Sequence, residues 1–224
     1  MTRAVLFDTE TTGFYPEEGD RVIEIAAIEL SNDLPTGEKF YALLDPERDI
    51  PTESTRIHGI TSAHVHGKPK FADVVDEMLA FFGDDPLIAH NAPFDFGFLD
   101  AELARLNKPK LPRERMIDTL VIAKKIFPGM PNSLDALCTR YGIDRAERTT
   151  HNALLDCKLL AAVYVELTGG RQRGFVLDTD QRFAFAKYAR PADYVPIRIE
   201  LSPEQLAAHA AFISRIKDAI WTHQ

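Results

Sequence analysis

The hydrophobic period of this chain changes at Pro51, and that change decides the fold class. Ahead of it stand three short apolar runs of strand type, Ala4–Phe7, Val22–Leu30 and Lys39–Leu44. Turn residues separate them: Pro16, Gly19 and Asp20, then Ser31, Asn32, Asp33, Pro35 and Gly37. The three runs predict an antiparallel meander. Beyond Pro51 apolar residues recur at helical spacing, as at Phe71, Val74, Val75, Met78, Leu79 and Phe82. A short buried strand, Leu87–Ala89, follows. Helical stripes then run from Phe94 to Leu106, Leu120 to Ile126, Leu134 to Tyr141 and Ala153 to Leu167. Ser133 is placed to cap the third of these, and Gly142 and Gly169-Gly170 to stop the last two. Strands first, then helices alternating with strands, predict a mixed-sheet α/β domain over about residues 1–170.

At 224 residues, with 45% hydrophobic and 27% charged residues, the chain is long enough for a sizeable core. That composition excludes a disordered chain, a collagen-like chain and a small disulfide scaffold. No apolar run approaches the roughly 18 residues of a membrane span, and Ala4–Phe7 is too short for a signal peptide. Cys138 and Cys157 read as reduced packing residues, which fits a cytoplasmic location. Charge is unevenly placed. Residues 1–170 carry 18 Lys/Arg against 28 Asp/Glu, and residues 171–224 carry 8 against 6. So acidic a body does not hold nucleic acid by bulk electrostatics; metal ions or a tethering partner must offset the repulsion.

Three segments carry chemistry. In Phe7-Asp8-Thr9-Glu10-Thr11-Thr12-Gly13, Asp8 and Glu10 are two apart at the end of an apolar strand, so both carboxylates share one face. They are either two solvated acids or hard oxygen ligands for Mg²⁺ or Mn²⁺. In His90-Asn91-Ala92-Pro93-Phe94-Asp95, Asp95 sits in a first helical turn, where a capping acid is the ordinary reading. In His151-Asn152-Ala153-Leu154-Leu155-Asp156, an acid on a rigid turn stands beside a titratable histidine at the helix entrance. That is either a surface pair or the core of a water-activating site. His64-Val65-His66 has no evident third ligand and reads as a solvated loop. The basic run Lys108, Lys110, Arg113 and Arg115 reads as a solvated loop too, with phosphate contact the lesser alternative.

Together, the three segments in this order resemble the exonuclease motifs of the DEDDh family. The resemblance covers residues 4–170, where Ile57-His58-Gly59-Ile60-Thr61, Ile117–Leu120, Phe127-Pro128-Gly129, Asn132–Leu137 and His151–Gly170 are similar to the epsilon subunits of bacterial DNA polymerase III. It implies a ribonuclease H-like fold, a five-stranded mixed sheet flanked by helices, and 3′→5′ exonuclease activity in proofreading during DNA replication. Two divalent ions, Mg or Mn, are implied, with Asp8, Glu10, Asp95 and Asp156 as ligands and His151 as general base. Glu53 and His58 match nucleotide-contacting positions, as do Asp8, Glu10 and Asp156; His58, read on a loop, has a donor for a phosphate or sugar oxygen. Phe14 and Phe94 either abut the terminal bases or belong to the core. A related nuclease acting on RNA ends or in DNA repair stands as the alternative, and a catalytically silent binding module is the rival class.

The domain expectation is an exonuclease domain at 1–172, a linker at 173–201 and a C-terminal helix at 202–224. Ser202-Pro203-Glu204-Gln205 is a helix-start signature. The apolar positions Leu206, Ile213, Ile220 and Trp221 make this helix the expected dock for the polymerase alpha subunit. Gln181-Arg182-Phe183-Ala184-Phe185 resembles sliding-clamp-binding peptides, with packing of Phe183 and Phe185 on the body as the alternative. The expected substrate is a single-stranded DNA 3′ end.

Overall fold

The structure, a computed structural model, describes residues 2–146, 150–169 and 200–216. The chain divides into two compact units, Met1–Phe175 and Val176–Gln224. The first is built on a five-stranded sheet of order β3-β2-β1-β4-β5. Strands β1 (Arg3–Thr11), β2 (Val22–Ser31) and β3 (Leu34–Leu43) form the expected antiparallel meander. Strands β4 (Leu87–Ala89) and β5 (Met116–Asp118) add in parallel on the other side of β1. The mixed five-stranded sheet flanked by helices is therefore present.

β1 and β2 are covered on both faces, which explains their dense apolar sequence. One face, with Val5, Phe7, Ile25 and Ala27, packs under α3 (Phe71–Phe82) and α4 (Ala92–Arg105). Phe7 lies 5.3 Å from Phe82 and 5.8 Å from Phe96, ring centroid to centroid. The opposite face, with Leu6, Ala26, Leu30 and Ile88, packs under α7 (Ala153–Leu167). Asp8 pairs with Ala26 and Glu10 with Glu24 across the strands, so these side chains continue the α7 face toward the carboxyl end of β1. A buried ion pair joins β2 to α4. Arg21 Nε and Nη2 donate to the two Glu102 carboxylate oxygens at 2.7 and 2.9 Å, and the Val22 N–H adds a third bond at 3.2 Å.

Several expectations need correction. β3 begins at Leu34 rather than Lys39, because Asn32 and Asp33 both adopt positive φ and close a two-residue hairpin turn. The residues 34–39 are exposed, so no buried alternation marked them as strand. His58 is not on a loop. It ends helix α1 (Thr52–His58), buried, and Gly59 stops that helix at φ 75°. His64-Val65-His66 is not a solvated loop either: α2 (Ser62–Val65) holds its first two residues, with Val65 buried and His64 Nδ1 accepting the Thr61 N–H. The basic run is largely a latch. Lys108 pairs with Asp76, Arg113 pairs with Asp100 and lies over the Phe96 ring, and Arg115 donates to the Phe82 and Asp85 carbonyls. Helices α5 (Thr119–Ile126) and α6 (Leu134–Tyr141) complete the unit, α6 with Ser133 as its cap. Cys138 and Cys157 are buried, as expected of packing residues.

In the second unit, α8 (Pro203–Ile213) starts on the expected capping box, with Ser202 and Gln205 bonded reciprocally at 3.2 and 2.9 Å. Leu206 and Phe212 are exposed on it. Gln181–Phe185, and Ile220 and Trp221, lie outside the described residues. Among the described residues no helix is long and apolar enough to cross a membrane.

Removing Glu102 would leave the largely buried Arg21 guanidinium with the more distant Glu47 carboxylate, at 3.9 Å, in place of its bidentate partner. Glu102→Ala is expected to cost on the order of 3 kcal/mol of unfolding free energy, measured by urea denaturation.

Candidate active site

Four segments converge at the carboxyl end of β1 around a pocket of about 340 Å³. β1 contributes Asp8, Thr9, Glu10 and Thr11, and the turn after it Gly13 and Phe14. α1 contributes Ser54, Ile57 and His58. The β4–α4 junction contributes His90, Asn91, Phe94 and Asp95, and the start of α7 contributes His151 and Asp156. Six of the seven residues expected from the sequence line this one pocket. Glu53, exposed in the first turn of α1, does not.

Each is placed by local structure. Gly13 lets the turn close onto Asp20, since a Cβ there would stand 2.1 Å from Asp20 Oδ2. Ser54 Oγ donates to the Thr12 carbonyl at 2.7 Å and fastens α1 to that turn. Asn91 takes a left-handed conformation, φ 64°, and its N–H donates to Asp118 Oδ1 at 3.0 Å. The chain thereby turns from β4 into α4 and brings Asp95 inward. Asn152 caps α7, its side-chain oxygen accepting the Leu155 N–H at 3.0 Å. Asp156 follows in the first turn. The His151 N–H donates to the Ile57 carbonyl at 3.2 Å, joining the α7 entrance to α1.

Electrostatics dominate this pocket. The Glu10, His151 and Asp156 ligand atoms all lie within 4.8 Å of one another, and His151 Nδ1 is 3.3 Å from Asp156 Oδ2. Burial pushes the Asp8 carboxyl well above the usual range, and repulsion from Asp95, Glu10, Asp156 and Glu24 adds to it. Burial raises Asp95 to about 7, against the opposing pull of Thr9. Thr9 donates twice to Asp95 Oδ1, from its N–H at 3.1 Å and its hydroxyl at 2.7 Å. Among the described residues no lysine or arginine lines the pocket. Hard carboxylate oxygens in such a cluster, with one imidazole, suit a divalent cation.

His58 is a donor facing this cluster. Its Nδ1 accepts the Ile60 N–H at 3.0 Å, so the ring proton sits on Nε2. That atom is buried and makes no hydrogen bond of good geometry. Burial lowers the His58 pKa, with the Thr11 main chain opposing and His151 reinforcing the shift. Sequence reasoning passed over Thr9, Asn91 and Asn152, whose roles are contacts to distant groups. It also passed over Glu24, a lone carboxylate inside an apolar strand.

The metal-free protein is expected to melt at lower temperature as pH rises through about 7. Asp95 holds a proton up to about pH 7 in the folded state that the unfolded chain has already lost, and Asp8 is shifted in the same direction, so the folded state binds more protons and loses stability as pH rises. Added Mn²⁺ should restore more stability at pH 8 than at pH 5.5, as read by thermal melts with and without chelator.

The Exonuclease family matches residues 5–164 of this chain. The DNA polymerase III subunit epsilon of Rickettsia conorii is 44% identical over 221 residues, 96% of each chain. That of Escherichia coli strain K12 is 38% identical over 231 residues, 97% of this chain and 94% of its own. Among solved structures, exonuclease X in complex with 5′-overhanging duplex DNA superposes with a TM-score of 0.58 at 29% identity, covering 75% of this chain and 91% of that one. E. coli exonuclease I with a dA16 oligonucleotide gives a TM-score of 0.62 at 19% identity over 74% and 41% of the chains, a likeness of fold. With four acids and a histidine lining one pocket, and with these relatives over nearly its whole length, the chain belongs to the exonuclease family, among the epsilon subunits of DNA polymerase III.

Proposed function

We propose that this chain proofreads for a DNA polymerase III by hydrolysing the terminal phosphodiester of single-stranded or mispaired DNA 3′ ends, releasing nucleoside 5′-monophosphates. One observation carries the reading: Asp8, Glu10, Asp95, Asp156 and His151 line a single pocket in a chain of this family.

Asp8, Glu10, Asp95 and Asp156 are the residues that would hold two divalent ions, Mg²⁺ or Mn²⁺. Such ions, when bound, polarise the phosphodiester and ease deprotonation of the attacking water. The chain's own groups do the rest. Neutral His151, beside Asp156 at 3.3 Å, accepts the water proton as general base. The buried His58 Nε2–H donates to a phosphate or sugar oxygen. Phe14, 62% exposed, and Phe94, with ring centroids 6.4 Å apart, give the terminal base an apolar wall. A paired terminus must melt to reach that wall, which favours frayed ends. Glu53 is assigned a nucleotide contact from α1.

We assign the nuclease to residues 1–172, joined by a linker at 173–201 to a docking helix at 202–224, in a cytoplasmic protein. Because the body is acidic, local concentration at DNA comes from tethering. The exposed Leu206 and Phe212 on α8 support the second unit as the part that docks on the polymerase alpha subunit. Gln181–Phe185 is proposed as a sliding-clamp contact.

Asp8→Ala is expected to bring exonuclease activity near background in Mg²⁺ or Mn²⁺. His151→Ala should lose about 10²–10⁴-fold in rate while still binding Mn²⁺, read by gel assay on a labelled 3′ end and by calorimetry. Substantial metal-dependent activity in Asp8→Ala would sink the assignment.

A 1–172 truncation is expected to keep full activity on free single strands and to lose the polymerase subunit in pull-downs. Binding equal to that of the full chain would rule out the C-terminal unit as tether.

A further inference from the structure

Glu24 is a fifth acid beside the cluster, and it is held differently from the others. It lies on β2 directly across from Glu10 and is 1% exposed. A carboxylate so deeply buried is costly unless hydrogen-bonded. Three donors meet it. The Tyr41 hydroxyl and Asn152 Nδ2 donate to Oε1 at 2.7 and 2.9 Å, and the Ala153 N–H donates to Oε2 at 2.9 Å. Ala153 is the first residue of α7, so one donor belongs to a helix N-terminus, where the peptide dipoles favour an anion. Asn152 is used at both ends. Its oxygen caps α7 through the Leu155 N–H, and its amide nitrogen reaches back to Glu24. The residue before it is His151.

We infer that Glu24 is a positioning residue for His151: through Asn152 and Ala153 it ties the α7 entrance to the rigid centre of the sheet and so sets where the imidazole stands. This rests on His151 being the general base. The His151 N–H on the Ile57 carbonyl fastens the backbone of the same entrance from the α1 side, and Nδ1 lies 3.3 Å from Asp156 Oδ2 within α7. Without Glu24, Asn152 Nδ2 would lose its acceptor on β2 and keep only the cap to Leu155 within α7. A displaced base costs rate more than affinity, because most of the proposed substrate contacts, His58, Phe14 and Phe94 among them, stand on elements other than α7.

Two substitutions break this tie from opposite sides. Glu24→Gln puts an amide where three donors converge. Asn152→Asp keeps an oxygen to cap Leu155 but sets a carboxylate against Glu24. On a single-stranded oligonucleotide at saturating Mn²⁺, each is expected to lower kcat about 10–100-fold, with KM changed less than about twofold. In a His151→Ala background neither should lower the rate further by more than about twofold, since residues acting as a unit are not additive. Melting temperatures confirm that each variant is folded at the assay temperature; if Glu24→Gln is not, Asn152→Asp decides alone. An unchanged kcat in a folded variant, or an equal loss with and without His151, overturns the inference. A wild-type rate in His151→Ala itself overturns the base assignment, and the inference falls with it.

Discussion

Carboxylates crowd the carboxyl end of β1, and their repulsion is the constraint around which the first unit is organised. Each acid is relieved in its own way. Asp95 draws on the N–H and hydroxyl of Thr9, which reach it from the sheet face opposite to α7. Glu24 draws on the α7 N-terminus, Asn152 and Tyr41. Burial and the Glu24 carboxylate hold the Tyr41 hydroxyl protonated far above the ordinary range, so it stays a donor. Asp8 stands amid all of these acids, and burial with their repulsion favours its protonated form, a proton that a bound cation would displace.

Rigidity follows from where these groups sit. Asp8 and Glu10 lie on a strand buried on both faces; Asp95 and Asp156 lie in first helical turns. The bonds that orient them run to neighbouring elements rather than within their own. Arg21 and Glu102 secure β2 to the helix that carries Asp95. Arg113, stacked over Phe96 and paired with Asp100, secures the first half and middle of that helix. A preorganised site of this kind spends its reorganisation energy on folding rather than on the reaction.

How much was legible in advance depended on whether a residue's role was local. Asp8 and Glu10 could be placed on one face because a strand alternates, and two acids closing an apolar run show directly. Asp95 and Asp156 could be placed in first turns for a similar reason. Thr9 could not be singled out, since its partner is 86 residues away. Helices α1 and α2 are too short for a periodic signal, and exposed Ile57 blurred what pattern α1 had. β3 hid its first residues because an exposed edge strand needs no apolar alternation. Arg113 and Arg115 looked like a solvated basic run because their acceptors, Asp100 and two main-chain carbonyls, are distant in sequence or carry no side-chain signature. Glu24 did have a local mark, a charge flanked by isoleucines inside a buried strand, but that mark gives cost without giving purpose.

The contact between Glu24 and the Ala153 N–H spans 129 residues, and that between Thr9 and Asp95 spans 86. During synthesis β1 leaves the ribosome first, carrying Asp8 and Glu10, while α7 is the last described helix of its unit to emerge. Until α7 docks, His151 and Asp156 are not beside those acids. On the proposed assignment, a nascent chain therefore holds an incomplete site. That site is completed in one late step, together with closure of the sheet face that α7 covers, and a truncated translation product ending before His151 would carry three of its five residues, Asp8, Glu10 and Asp95.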